Sequence, residues 1–280
     1  MVRSPIATLL SLLFLISTSS LAQNPAPSDP SPDGAVQADD SSRAEPVRDP
    51  AAIALLQKAI ATLGGQAVAS QVTDSVTTGT IDPPPGSKAE TRTFVWKVAG
   101  EEFRREFQGS AGSEVFVSGH GKPEGDRAGK GRRVMQHVAQ ASPPLHLPAL
   151  VLLQQLANND YSLTVVGNAT VQGQPTTVVK SVLQSDVVTR AVTPQRWFLD
   201  PQTGLPLRVE YRLPDNENAL HTTDASVEFG DYRSIQGTMV PFRMLVTQSG
   251  SGPWTVTVLS VAFNTNISPT EFDAVKEGDQ

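Results

Sequence analysis

The chain has 280 residues, a formal net charge of −6 and no cysteine. Without cysteine there are no disulfides, thiolate ligands or thiol redox chemistry, so the fold must rest on its own core. The acidic balance argues against nucleic acid as a partner.

The first 22 residues read as a cleaved export signal. Arg3 supplies the positive start, residues 9–16 the apolar core, and Ser20-Leu21-Ala22 the small-x-small cleavage site. The apolar run is about half of the ~20 residues that a membrane-spanning helix needs. Residues 23–49, with Pro25, Pro27, Pro30, Pro32 and Pro46 among Ser, Asp and Ala, read as a disordered tether. About 230 residues remain for one domain, expected over 50–280.

Asp49-Pro50 predicts the start of a helix, with Asp as N-cap and Pro in the first position. Ile53, Leu56, Ile60 and Leu63 share one of its faces, and Gly64-Gly65 ends it. From Val72 the period switches to two. Strands are predicted over 72–81, 91–98, 102–107 and 114–118, with a hairpin across Ala99-Gly100-Glu101. Phe94 and Trp96 share a face, as do Phe103 and Phe107, and Val115 and Val117.

Residues 120–133 interrupt the pattern and are expected as a glycine-rich surface loop. Its bases, Lys122, Arg127, Lys130, Arg132 and Arg133, suit either a solvated loop or a basic flap at the mouth of a site. Residues 147–157 predict a second helix. Leu150 and Leu153 lie on one side and Leu152 and Leu156 on another, so it needs apolar cover over more than one face, in the core or as a lid.

Further strands are predicted over 161–167, 170–182, Val187–Val192, 196–199 and 205–213. Three more follow, over 225–235, 238–247 and Trp254–Phe263. Val240, Phe242, Met244 and Val246 share one parity, as do Trp254, Val256, Val258 and Ser260, the pattern of an antiparallel meander with one dry face.

No catalytic or metal-binding motif stands out. The four histidines, His120, His137, His146 and His221, have no metal-ligand spacing, and there is no GxSxG or Walker sequence. We expect no enzyme activity, no metal and no cofactor.

The order of elements resembles the LolA-like family of periplasmic lipoprotein carriers, a half-barrel superfamily that includes LolB- and RseB-type proteins. Phe94-Val95-Trp96-Lys97 is similar to its "LWVK" strand, and the stretch from Val117 to Lys122 to its "VSDGK" turn. Pro148 to Leu156 resembles its apolar helix, and Asp231-Tyr232-Arg233, Gly237 and Val240-Pro241 a hairpin of its broader members. Residues 264–272 resemble its closing strand and turn.

The resemblance implies an α+β fold: a strongly curved antiparallel sheet, a half β-barrel, with helices covering the concave face. It implies acyl chains in an apolar cavity, with lining from Phe94, Trp96, Phe103, Phe107, Val115 and Val117, from Leu150 and Leu153, and from Val240, Phe242, Met244 and Val246. Leu152 and Leu156 would belong to the lid. In the family's carriers an Arg-Pro after the "LWVK" strand locks the lid; here Val98-Ala99 stands there. The expected partner is a lipid or acylated protein, with a membrane surface or an envelope protein as a further possible contact, and the protein is expected to be monomeric. The expected place is the periplasm, or outside the cell if there is only one membrane. The rival reading is an interaction or regulatory module that uses the same fold without a lipid.

Overall fold

The computed structural model describes residues 45–119, 122–127, 130–133, 136–141, 143–249 and 252–273. The expected signal, most of the expected tether, and the side chains of Lys122, Arg127, Lys130, Arg132 and Arg133 lie outside the described part.

Helix α1 (Pro50–Thr62) forms as its sequence dictates. Asp49 stays extended, its carboxylate accepts the Ala51 N–H at 2.8 Å, and Leu56, Ala59 and Ile60 are buried on the core side. Gly64 and Gly65 then take positive φ angles of 120° and 89°, which a residue with a Cβ adopts only with strain. A short α2 (Gln66–Ala69) leads into the sheet.

Among the described residues, thirteen antiparallel strands form one sheet. The first six are β1 (Asp74–Asp82), β2 (Arg92–Ala99), β3 (Glu102–Gly109), β4 (Gly112–Gly119), β5 (Lys122–Arg127) and β6 (Lys130–Arg133). After helices α3 (Gln136–Gln140) and α4 (Pro148–Ala157) come β7 (Tyr161–Val171), β8 (Gln174–Leu183) and a short helix α5 (Val187–Val192). The last five strands are β9 (Gln195–Leu199), β10 (Pro206–Pro214), β11 (Thr222–Ile235), β12 (Thr238–Gln248) and β13 (Trp254–Phe263), before a 3-10 turn (Pro269–Phe272).

The strand order is β6-β5-β4-β3-β2-β1-β13-β12-β11-β10-β9-β8-β7. Every neighbour pair is consecutive in the chain except β1–β13, so two meanders are joined by their first and last strands. The sheet is open, and it curls far enough that β2 and β3 face β10 across the interior: Trp96, Arg105, Tyr211 and Leu213 line one small void. Its two edges, β6 and β7, are also consecutive. The α3–α4 segment that joins them therefore crosses the open side, which makes α4 a cover for the concave face.

The described end of the N-terminal segment protects the β7 edge. The Leu163 N–H donates to the Val47 carbonyl at 2.8 Å, and the Asp49 N–H donates to the Leu163 carbonyl at 2.9 Å. Arg48 then donates to the carbonyls of Leu156 (2.6 Å), Asn158 (2.9 Å) and Tyr161 (3.2 Å), holding the C-terminal end of α4.

Three expectations are corrected. Val187–Val192 is a helix and not a strand: the Asp186 carboxylate accepts the Thr189 N–H at 2.9 Å and the Thr189 hydroxyl at 2.6 Å, and this local cap overrides the β preference of Val-Val-Thr. The region expected as a surface loop contains the β5–β6 hairpin, which extends the sheet beyond β4. Its backbone register sets Lys122–Arg127 against Glu114–Gly119 of β4, and β6 then pairs with β5. Ser260 leaves the parity of Trp254, Val256 and Val258, because a bulge opposite Thr78/Gly79 adds Leu259. Ser260 then lies on the outer face, its hydroxyl 2.7 Å from that of Thr78.

The β1–β13 seam is clamped at one end by Asp74. Its carboxylate accepts the Thr265 N–H and hydroxyl, both at 2.7 Å, and the Asn266 N–H at 3.0 Å. Burial alone would raise this carboxyl; the hydrogen bonds from Thr265, Asn266 and Ile267 outweigh it and hold the pKa below the usual value. Asp74→Ala is expected to destabilise the fold by about 2 kcal/mol, the scale for losing hydrogen bonds to a charged group. Urea denaturation at neutral pH measures it; an unchanged midpoint would show that the clamp carries no stability.

Candidate functional site

Cross-strand register fixes the concave face. Phe94 lies opposite Phe107, Trp96 opposite Arg105, and Val98 opposite Phe103, so these side chains point inward together. On β12 and β13 the inward set includes Met244 opposite Val256 and Val246 opposite Trp254. Parity alone gave two faces for the last meander; the register shows that Val240, Phe242, Met244 and Val246 belong to the inner one.

These residues fill most of the concavity themselves. Phe94 stacks on Trp96 at 4.0 Å, Phe107 meets Trp96 edge-on at 6.5 Å, and His146 lies 4.8 Å from the same indole. Phe94, Trp96, Phe107, Val240, Phe242, Met244 and Val246 are all buried in one cluster with Trp197, Trp254 and α1. Gly79 makes room for this layer, since a Cβ there would come within 2.6 Å of the Phe94 ring.

Val115 and Val117 point the other way. They share the outer face with Glu106 and Arg104, and the inward residue between them is Phe116. Placing both valines in the cavity lining is thus corrected by register. Val117 is nevertheless buried, on the side covered by the 3-10 turn. Gly119 allows that close approach, because a Cβ at this position would collide with the Phe272 carbonyl.

Beyond the aromatic layer lies a cavity of about 810 Å³. Its apolar walls include Val98 and Phe103 from the sheet, Ala69 and Val72 at the end of α2, and Leu150, Val151 and Leu153 from α4. Exposed residues at its edge, Ser70, Gly100, Glu101, Gln154 and Ala157, mark the mouth. Of the residues expected to line a cavity, Phe103, Leu150 and Leu153 are brought together here. Leu152 is fully buried in the core and Leu156 packs half-buried against it. Tyr161, Gln155 and Gln195 also line the cavity and were not anticipated; polar residues in a strand or helix carry no sequence signal that sets them beside a cavity.

A buried polar group separates the packed layer from the cavity. Arg105 donates to the carbonyl of Pro143 at 3.4 Å, and Pro143 lines both the cavity and the small void below it. Burial lowers the pKa of Arg105 to about 10, against a raising effect of Tyr211. Burial, with a smaller contribution from Arg105, lowers His146 to about 3, and burial raises Tyr211 to about 12, with Arg105 working against it. Of the arginines near the "LWVK"-like strand, Arg92 pairs with Glu114 at 3.1 Å and Arg104 with Glu106 at 2.5 Å. Arg105 is the one that reaches the segment leading into α4.

The chain has the fold of the LolA superfamily. A LolA superfamily protein from Nitrosomonas europaea superposes with a TM-score of 0.53 at 11% identity, over 80% of this chain and 97% of that one. A domain assigned to outer membrane lipoprotein sorting, from Vibrio parahaemolyticus, gives 0.51 at 15% identity over 79% and 95%. A DUF1329 family protein from Desulfovibrio piger gives 0.50 at 16% identity over 79% and 96%. No family model and no curated protein matches the chain.

The buried His146 makes stability depend on pH. Its folded pKa lies below the unfolded value near 6.5, so as pH falls below about 6.5 the unfolded chain takes up a proton that the folded one does not, and folding weakens toward pH 3. Each pH unit in that window removes up to ~1.4 kcal/mol. The denaturation midpoint of His146→Phe is expected to fall less between pH 7 and 5 than that of the parent; equal slopes would assign the pH dependence to other groups.

Proposed function

We propose that this protein is an exported carrier or sensor of acylated ligands, holding an apolar chain in the cavity beside α4. The observation that carries the reading is the 810 Å³ cavity, whose walls come from aliphatic residues of α4 and of the concave face. That volume lies within the ~300–1,000 Å³ common for small-molecule sites. Burying a ~16-carbon chain at ~0.8 kcal/mol per CH₂ offers on the order of 10 kcal/mol before ordering costs, so binding needs no catalysis. The superposition on a lipoprotein-sorting domain supports the same reading. Export through a signal at residues 1–22 would place the domain in the periplasm, or outside a one-membrane cell, behind a tether over 23–49. There it would act as a monomer meeting a lipid, an acylated protein, a membrane surface or an envelope protein.

A second reading is favoured by the self-filled centre of the concavity. A sheet packed by its own Trp96, Trp197 and Trp254 resembles a stable platform for a protein partner. Two substitutions separate lining from core. Leu153→Arg is expected to keep the melting temperature within a few degrees and to reduce uptake of the neutral reporter N-phenyl-1-naphthylamine at least about tenfold, by setting a charge in an apolar wall. Trp96→Arg is expected to unfold the protein under either reading. Natively purified protein that yields no lipid on organic extraction and takes up no reporter would exclude the carrier role and leave the interaction module.

A further inference from the structure

The cavity is not apolar throughout. Gln155 of α4 and Ser75 of β1 both line it, and each is only 1% exposed. The Gln155 Nε2–H donates to Gln195 Oε1 at 2.7 Å, and the Trp197 Nε1–H donates to the same oxygen at 3.1 Å. An indole N–H only donates, so the oxygen of the Gln195 amide must face Trp197. Gln155 must then present its NH₂ to that oxygen, which leaves its own Oε1 as the remaining end of the amide. Gln155 Oε1 and the Ser75 hydroxyl are buried without a hydrogen-bond partner. A fixed, desolvated acceptor is costly unless something donates to it.

We propose that Gln155 forms a recognition subsite in this cavity for an uncharged, hydrogen-bond-donating group of an amphiphile, a hydroxyl or an amide N–H, with its Oε1 as the acceptor. The inference rests on the cavity being the chain-binding site. An ionised carboxylate is disfavoured there. It only accepts hydrogen bonds, so it would meet the Gln155 oxygen with lone pair against lone pair. No Lys, Arg or His is among the described lining residues; Arg105, at the boundary, lies behind the wall over the Phe103 ring and donates to the Pro143 carbonyl. The charged side chains of the lining are the acids Asp74, Glu101 and Glu102. The ligand class is therefore a neutral amphiphile, such as a fatty alcohol, a fatty amide or a monoacylglycerol.

The test uses the signal-free chain at pH 8.5 and displacement of N-phenyl-1-naphthylamine by three ligands of equal chain length: dodecanamide, methyl dodecanoate and dodecanoate. The amide is expected to bind at least about tenfold more tightly than the ester or the carboxylate, the scale of one buried hydrogen bond. Gln155→Met, which keeps the side-chain shape, is expected to bring the amide to the level of the ester and leave the ester unchanged. Equal binding of amide and ester by the parent chain, or tighter binding of the carboxylate, would overturn the subsite and leave the carrier role standing. This comparison needs no variant, so it holds even if Gln155→Met fails to fold. Failure of the reporter and all three ligands to bind would overturn the carrier role itself.

Discussion

The pairing of β1 with β13 governs the rest of the structure. All the other pairings join strands consecutive in the chain, which form as local hairpins or across short connections. This one joins residues 173 to 188 positions apart and converts two separate meanders into one curled sheet. It also fixes where the edges fall. With the first and last strands zipped together, the free edges are β6 and β7, and the segment between them must cross the open side. The placement of α4 over the concavity thus follows from topology before any side-chain contact is considered. The Asp74 clamp sits at one end of the seam, where the chain leaves β13, and its hydrogen bonds from Thr265 and Asn266 replace the ladder where the strand pairing ends.

Why the cavity lies at one end of the concavity is a matter of side-chain size. Along β2 the inward residues run Phe94, Trp96, Val98. The first two, with Phe107, Trp197 and Trp254, fill the interior to close packing. At Val98 the wall becomes small, and the space opens beside Phe103 and the leucines of α4. Arg105 stands at the boundary, its charge desolvated and its guanidinium over the Phe103 ring at 4.7 Å. A buried cation held there keeps the aromatic layer from being the continuous floor of an apolar tube. Arg48 holds the C-terminal end of α4, and Arg105 donates to the segment leading into it.

The sequence carried the fold further than it carried the site. Asp49-Pro50 and Gly64-Gly65 bound α1 because capping and positive φ are local properties, and the parity of Val240 to Val246 is local in the same way. What failed was decided by distant partners. Val115 and Val117 alternate as well as Phe94 and Trp96 do, but alternation cannot tell an inner face from an outer one covered by a chain end more than 150 residues away. The β5–β6 hairpin has the composition of a loop and becomes sheet because β4 offers it an edge. Only α5 was missed for a local reason: the cap by Asp186 outweighs two valines. Within the site, Phe103, Leu150 and Leu153 were legible as apolar positions of fixed parity. Gln155 was not, because its significance depends on Gln195 and Trp197, some 40 residues further along.

That dependence bears on how specificity arises in such a cavity. Aliphatic walls reward chain length and little else, since one CH₂ resembles the next, and discrimination among amphiphiles then falls to whatever polar atoms are rigid and desolvated. Gln155 meets both conditions. It sits on a helix whose C-terminal end is held by Arg48, and its amide orientation is imposed by a tryptophan that lies fully buried in the core. A free glutamine would rotate to offer either its oxygen or its NH₂ and would accept carboxylate and amide alike. Held by Gln195, it presents one side only. The aromatic layer that fills the concavity therefore bears directly on the proposed subsite: it narrows the space beside α4 and, through Trp197, fixes which end of the Gln155 amide is left over.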